Sequence, residues 1–242
     1  MPFVTMPNTG LAPRPQYRVP HSLRGPAIAA SVLLSLDVAV CVAAMYALTR
    51  RIAVVRDVLA GRDVTVAAAQ AVDDAFGAVV LVTLLLFAAT AVPFIVWSYR
   101  LVGNVRSLGR EPHPGPSWAI AGWFIPIANF GLPARTLMAT DRHSDSAGRA
   151  HRWLIVTWAI VLGVGGIIAR EASQLLTTSV GLATTNQASL IRGDEGERLG
   201  FGLLALAAVL AIVIVVDLTR RQERALVLAA QAHAQGQAAT PR

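Results

Sequence analysis

Lysine is missing from this chain: all 21 basic residues are Arg. Beside the abundant Ala this reads as a mark of base composition, and no chemistry is drawn from it. Cysteine is almost missing too. Cys41 stands alone inside an apolar run, which excludes a disulfide framework and a thiolate metal cluster. None of the five His falls within an apolar block, which removes the bis-His haem arrangement. Intramembrane proteolysis would need Ser with His, paired Asp or HExxH inside the bilayer, and none of these sets is present. Gly163-Val164-Gly165-Gly166 lacks the strand and the following Lys of a phosphate loop. His143, Asp141, Asp145 and His151 are spaced as in a solvated loop, so they are not read as a metal site. An enzyme is therefore not expected, nor is any cofactor or metal.

Charge is scarce as well, at 14% of residues against 55% hydrophobic. What is there instead are four long apolar blocks at 27–48, 77–98, 153–169 and 199–216, three of them free of charge. At about 1.5 Å per residue each reaches roughly 25–33 Å, enough to cross the hydrocarbon. The expected fold class is all-α: a polytopic membrane protein with four transmembrane helices. The formal net charge of +7 does not coincide with basic residues interleaved with aromatics on a soluble domain. The lipid bilayer, with its anionic leaflet, is the expected partner, and nucleic acid is not.

Residues 1–26 carry six prolines and read as a disordered cytoplasmic tail; 27–224 form the membrane domain, and 225–242 a C-terminal cytoplasmic tail. The run at 27–48 is too long for a secretory signal and is read as a retained span. The connections 49–76 and 170–198 are nearly equal in length, one broken at Gly61-Arg62-Asp63, the other at an acidic turn bracketed by Gly193 and Gly196. They suggest two long helical hairpins projecting on the same side. With four spans, the tail, 99–152 and the C-terminus hold 14 Arg against 7 on the hairpin tips. The positive-inside rule then places both termini in the cytoplasm. A fifth full span over 118–138 would abolish that asymmetry and leave Arg135 in the membrane. Eight of the fourteen acids lie on the hairpin tips, matching the same split.

The stretch 94–133 is the densest in distinctive residues. Trp97, Arg100 and Asn104 share one face of the second helix, with Tyr99 beside them. Aromatics next to Arg at headgroup depth describe any interfacial anchor; the alternative is that Arg100 and Asn104 bind something. Further on, Trp118 and Trp123 precede Pro126, Asn129 and Pro133. In a continuous helix Pro126 and Pro133 would free the carbonyls of Gly122 and Asn129, for which Arg100, Asn104 and the Asn129 amide are the nearest donors. The segment 118–138 is accordingly expected to fold back against the inner end of the second helix as a Pro-broken re-entrant or interfacial element.

This run, FxxWxYRxxxN with a following LG, then SW and GWFIPIAN, resembles a bacterial multi-pass membrane family known as domain of unknown function 4328. The matching positions are Phe94, Trp97, Tyr99, Arg100, Asn104, Gly109, Trp118, Gly122, Trp123, Pro126, Asn129 and Pro133. The resemblance implies an integral membrane protein of the bacterial plasma membrane and no activity. The chain departs from the family pattern at Leu132, Ala134 and 137–139.

Asp37, near the middle of the first span, is the best single candidate for function. A carboxyl there either faces protein or water, or hydrogen-bonds hydroxyls such as Ser31, Ser35 or Thr83. Ala159, Gly163 and Gly166 form a small-residue stripe suited to close helix contact. The leading expectation is a non-enzymatic scaffold or accessory subunit with a membrane-protein partner or a second copy. The alternative is a small oligomeric transporter or channel using Asp37 and 118–138.

Overall fold

Uncharged apolar runs must satisfy their backbone groups internally, and the chain does so as helices. A computed structural model describes residues 19–111, 113–125, 131–144, 149–180 and 187–238. Among them six α-helices and no strand are found. They are α1 (Arg24–Leu59), α2 (Val66–Asn104), α3 (Pro116–Phe124), α4 (Leu132–Ser144), α5 (Arg149–Val180) and α6 (Gln187–Ala238). The helices α1, α2, α5 and α6 are each long and apolar enough to cross a membrane, in agreement with the expected polytopic all-α fold. Asn129 and Pro126 lie outside the described residues.

Each boundary has a local cause. The turn between α1 and α2 uses Gly61 at φ 71°, and the Thr65 hydroxyl caps α2 by accepting from the Ala68 N–H. Pro116 opens α3, and Pro133 is the second residue of α4. In that first turn a missing N–H costs nothing, so Pro133 starts a helix rather than interrupting one.

The four long helices pack as an open row, in the order α2, α1, α6, α5. On α1 the buried positions 27, 30, 34, 37, 41, 44 and 48 repeat every three and four residues, the spacing of a helix–helix seam. Where α5 crosses α6, a Cβ on Gly200 would lie 2.8 Å from the Ala169 Cβ and 2.9 Å from its nitrogen, and one on Gly165 would lie 2.9 Å from the Leu203 Cβ. Without those side chains the two backbones come into direct contact. The expected stripe of Ala159, Gly163 and Gly166 does not make this contact, because it sits on another face of α5.

The backbones of α2 and α5 do not pack together; α3 and α4 fill part of the space between them, touching each other and their neighbours. Gly122 lets the two short helices approach, since a Cβ there would meet Leu132 at 3.1 Å. At about 14 and 20 Å neither helix of this short hairpin is long enough to cross the hydrocarbon by itself.

Two boundaries differ from the sequence expectation. His21 and Ser22, assigned to the tail, are held against α2, and α1 begins at Arg24. The acidic stretch at 194–197 lies within α6 and is not a turn. There Arg51 pairs with Asp194 at 3.3 Å, Arg56 with Glu195 at 3.0 Å, and Gly196 packs on Ala172, contacts that a continuous helix delivers in phase.

Candidate functional site

Asp37 occupies a seam position of α1 and is only 2% exposed. Its Oδ2 accepts from the Thr90 hydroxyl of α2 at 2.7 Å, while Oδ1 has no hydrogen-bond partner. The hydroxyls expected to serve it are used elsewhere: Ser35 donates to the Ser31 carbonyl and Thr83 to the Val79 carbonyl, both 2.8 Å. Thr90 was not singled out from sequence. It lies seven residues beyond Thr83, two helical turns along the same face, and only the register of α2 on α1 chooses between them.

Asp37 and Thr90 line a cavity of about 240 Å³ whose other walls are apolar. Phe87 and Phe94 come from α2, Trp158 from α5, and Trp123 from the end of α3. Phe94 is the hub of an aromatic cluster, with ring centroids 5.7 Å from Trp123 and 6.0 Å from Trp158; Trp123 and Trp158 are 6.4 Å apart. Edge-on and tilted contacts of this kind contribute about 0.5–1.5 kcal/mol each. They bridge α2 and α5 where the backbones do not meet. Phe94 and Trp158 belong to the apolar blocks 77–98 and 153–169, and Trp123 packs on both. Asp37 and Trp123 thus line one cavity. Trp118 is largely exposed at the start of α3, and Tyr99 is exposed on α2.

The remaining candidates form a second set at the end of the bundle nearer the termini. Trp97 is fully buried, and its indole N–H donates to the Thr219 hydroxyl of α6 at 2.9 Å, so it ties helices together and is no interfacial anchor. Asn104 accepts from the His21 N–H and donates to the His21 carbonyl, both at 2.8 Å. Arg100 donates to the Ser22 carbonyl at 3.0 Å. The pairing expected with Asn129 lies outside the described residues; among these, the donors of α2 serve the chain entering α1. Gln222, unnoticed in the sequence, donates from its buried amide to the Leu101 carbonyl at 2.8 Å. Pro133 is buried at the start of α4.

At the opposite end, beyond the apolar blocks, Arg51 reaches both Asp73 at 2.9 Å and Asp194 at 3.3 Å and lies over the Phe76 ring. Burial pushes Asp194 up to about 6; Arg51 opposes the shift and Asp73 adds to it. Glu197 is raised by its own burial and by Asp194, with Arg51 and the Ser173 hydroxyl opposing. No group of three or more metal-ligating side chains occurs among the described residues.

No curated protein and no solved structure matches the chain. The family described as Domain of unknown function (DUF4328) matches residues 60–220, more than half of the chain, from the start of the α1–α2 turn to the far end of the α6 span, leaving Asp37 outside the matched part. The chain therefore belongs to the DUF4328 family.

Proposed function

We propose that this is a non-enzymatic scaffold or accessory subunit of the plasma membrane, working through contact with a further membrane helix. One observation carries the reading. Helix α5 has two faces of small residues: Gly165 is consumed against α6, whereas Ala159, Gly163 and Gly166 line an open groove of about 350 Å³ beside Trp123, Pro133 and Ala134. A Cβ at Gly163 or Gly166 would meet nothing within 4 Å. Glycine in a helix interior costs about 1 kcal/mol relative to Ala, and here no contact among the described residues recovers it. A helix from a partner, or from a second copy, seated along this face would do so by close backbone approach.

Filling the groove tests this. Gly163→Leu is expected to abolish cross-linked or co-purified species from native membranes while leaving thermal unfolding unchanged; the mass of the lost species tells a second copy from another protein. Unchanged cross-linking would refute the reading. The Arg asymmetry supports both termini in the cytoplasm. An impermeant thiol reagent applied to intact cells should then spare a Ser144→Cys variant carrying no other accessible cysteine, and labelling would reverse the orientation.

A second reading, a small transporter, is favoured by the shared cavity of Asp37 and Trp123. Substrate-driven flux in proteoliposomes that Asp37→Asn abolishes would support it. A variant with unaltered flux would remove it.

A further inference from the structure

The Asp37 cavity has a composition that a purely structural void does not need. Its walls are aromatic and aliphatic, and a Leu at position 37 would complete them. Instead they hold one carboxyl group, nine-tenths buried and more, with one oxygen bound by Thr90 and the other without a partner. No cationic side chain lines the cavity among the described residues. A buried carboxylate is tolerated when a charge or donor meets it, and here the protein supplies a single hydroxyl.

The aromatic rings specify what the missing partner can be. Trp123, Trp158, Phe87 and Phe94 line the same cavity as Asp37, and an aromatic face attracts a cation by about 0.5–2 kcal/mol. A hydrated metal ion would find no further oxygen ligands. A compact apolar molecule carrying one positive charge would fill the aromatic walls and place its charge beside the buried carboxyl group. The volume of about 240 Å³ equals roughly eight water shares, which suits a small substituted ammonium and not a whole lipid. Because the α2 and α5 backbones stay apart, such a molecule can enter from the bilayer between them.

We infer that the cavity bounded by Asp37, Thr90, Phe94, Trp123 and Trp158 binds a small lipophilic organic cation. The inference concerns occupancy of this cavity and does not rest on the docking groove of α5. The competing occupant is a lipid acyl chain, which would fill the apolar walls and make no use of Asp37.

The test uses the full chain in nanodiscs of zwitterionic lipid, with benzyltrimethylammonium as probe and neopentylbenzene as its uncharged counterpart of the same shape. Binding is followed by tryptophan fluorescence and expressed per mole fraction in the bilayer. The cation should bind saturably and about tenfold or more tighter than the neutral probe, about 1.4 kcal/mol of extra attraction that comes mainly from the Asp37 carboxylate, with the rings adding to it. Asp37→Asn should remove that margin while leaving neopentylbenzene binding unchanged, and Asp37→Glu should keep most of it. Equal binding of the two probes to the unaltered protein, or no saturable binding of the cation, overturns the proposal. That comparison needs no variant to fold. Asp37→Asn binding the cation as tightly as the unaltered protein overturns it as well.

Discussion

Replacing Thr90 by Val keeps the shape of the side chain and deletes one hydrogen bond. In the folded chain Asp37 would then be left with two unsatisfied oxygens, since Oδ1 already lacks a partner and Oδ2 has only the Thr90 hydroxyl at 2.7 Å. Two magnitudes bracket the cost. Interhelical hydrogen bonds within membranes average about 0.6 kcal/mol and reach about 1.7; stranding a buried polar group costs about 1–3 kcal/mol. Thr90 is 6% exposed and Asp37 2%, so water does not rescue the carboxyl group and the region where the two ranges overlap applies. Thr90→Val should therefore destabilise by about 1–2 kcal/mol in equilibrium unfolding from mixed micelles. Adding Asp37→Leu should return most of that loss, because removing both partners removes the stranded group. The double-mutant cycle reads the coupling directly. Additive effects, or Thr90→Val within about 0.3 kcal/mol of the unaltered protein, would show that the bond does no stabilising there and would refute the reasoning.

At the turn-side end of the bundle, Asp194 sits near 6 against an ordinary value of 3.8, so the folded chain holds that proton more tightly than the unfolded one. Its contribution is most favourable below about pH 4 and is lost as pH rises to about 6. Glu197 is raised in the same direction. The stability gap between Asp194→Asn and the unaltered protein should open across that window, by an amount on the order of 2–3 kcal/mol, in thermal unfolding at stepped pH; a pH-independent gap would contradict it. Asn104→Leu removes both 2.8 Å bonds to His21. Hydrogen exchange at residues 21–23 should then accelerate while exchange in α6 is unaltered, and unchanged protection at 21–23 would show that the chain is held there by other contacts.

The spans were legible because bilayer-crossing helices need long uncharged runs, and 77–98, 153–169 and 199–216 have no competing signal. The break into the short helices α3 and α4 was legible for a related reason: Pro and Gly recur where a helix would otherwise continue. What escaped were choices made by helix phase. Gly163, Gly165 and Gly166 are the same residue within four positions, yet only Gly165 meets α6, because successive residues point about 100° apart around the axis. Thr83 and Thr90 share a phase, and there the register of α2 along α1 makes the choice. The acidic stretch at 194–197 was misread for a different reason. Glycines beside carboxylates are a turn signal locally, and the ion pairs with Arg51 and Arg56, more than a hundred residues distant in sequence, override it. The partners of Arg100 and Asn104 were missed because the donors are side chains while the acceptors are backbone carbonyls of residues 21 and 22, which no side-chain pattern marks.

An open row of four helices leaves α2 and α5 without a mutual seam, and the short hairpin compensates on one side only. Trp123 is where the compensation is made. Its ring packs on Phe94 and Trp158, and it lines both the 240 Å³ cavity and the 350 Å³ groove, together with Trp158 and Leu162. Trp123→Ala should therefore join two spaces as well as delete two ring contacts. Large aromatic truncations in protein cores cost about 3–5 kcal/mol. Lipid can fill part of the void here, so the expected loss is nearer the two ring contacts, about 1–3 kcal/mol. The more specific consequence is for selectivity: with one aromatic wall gone, neopentylbenzene should bind at least as well as before while the preference for benzyltrimethylammonium declines. Trp158→Leu, which keeps an apolar wall on α5, should weaken that preference less. If Trp123→Ala left both the unfolding midpoint and the preference intact, the hairpin would be packing beside the bundle without closing it, and the aromatic bridge between α2 and α5 would have to be carried by Phe94 and Trp158 alone.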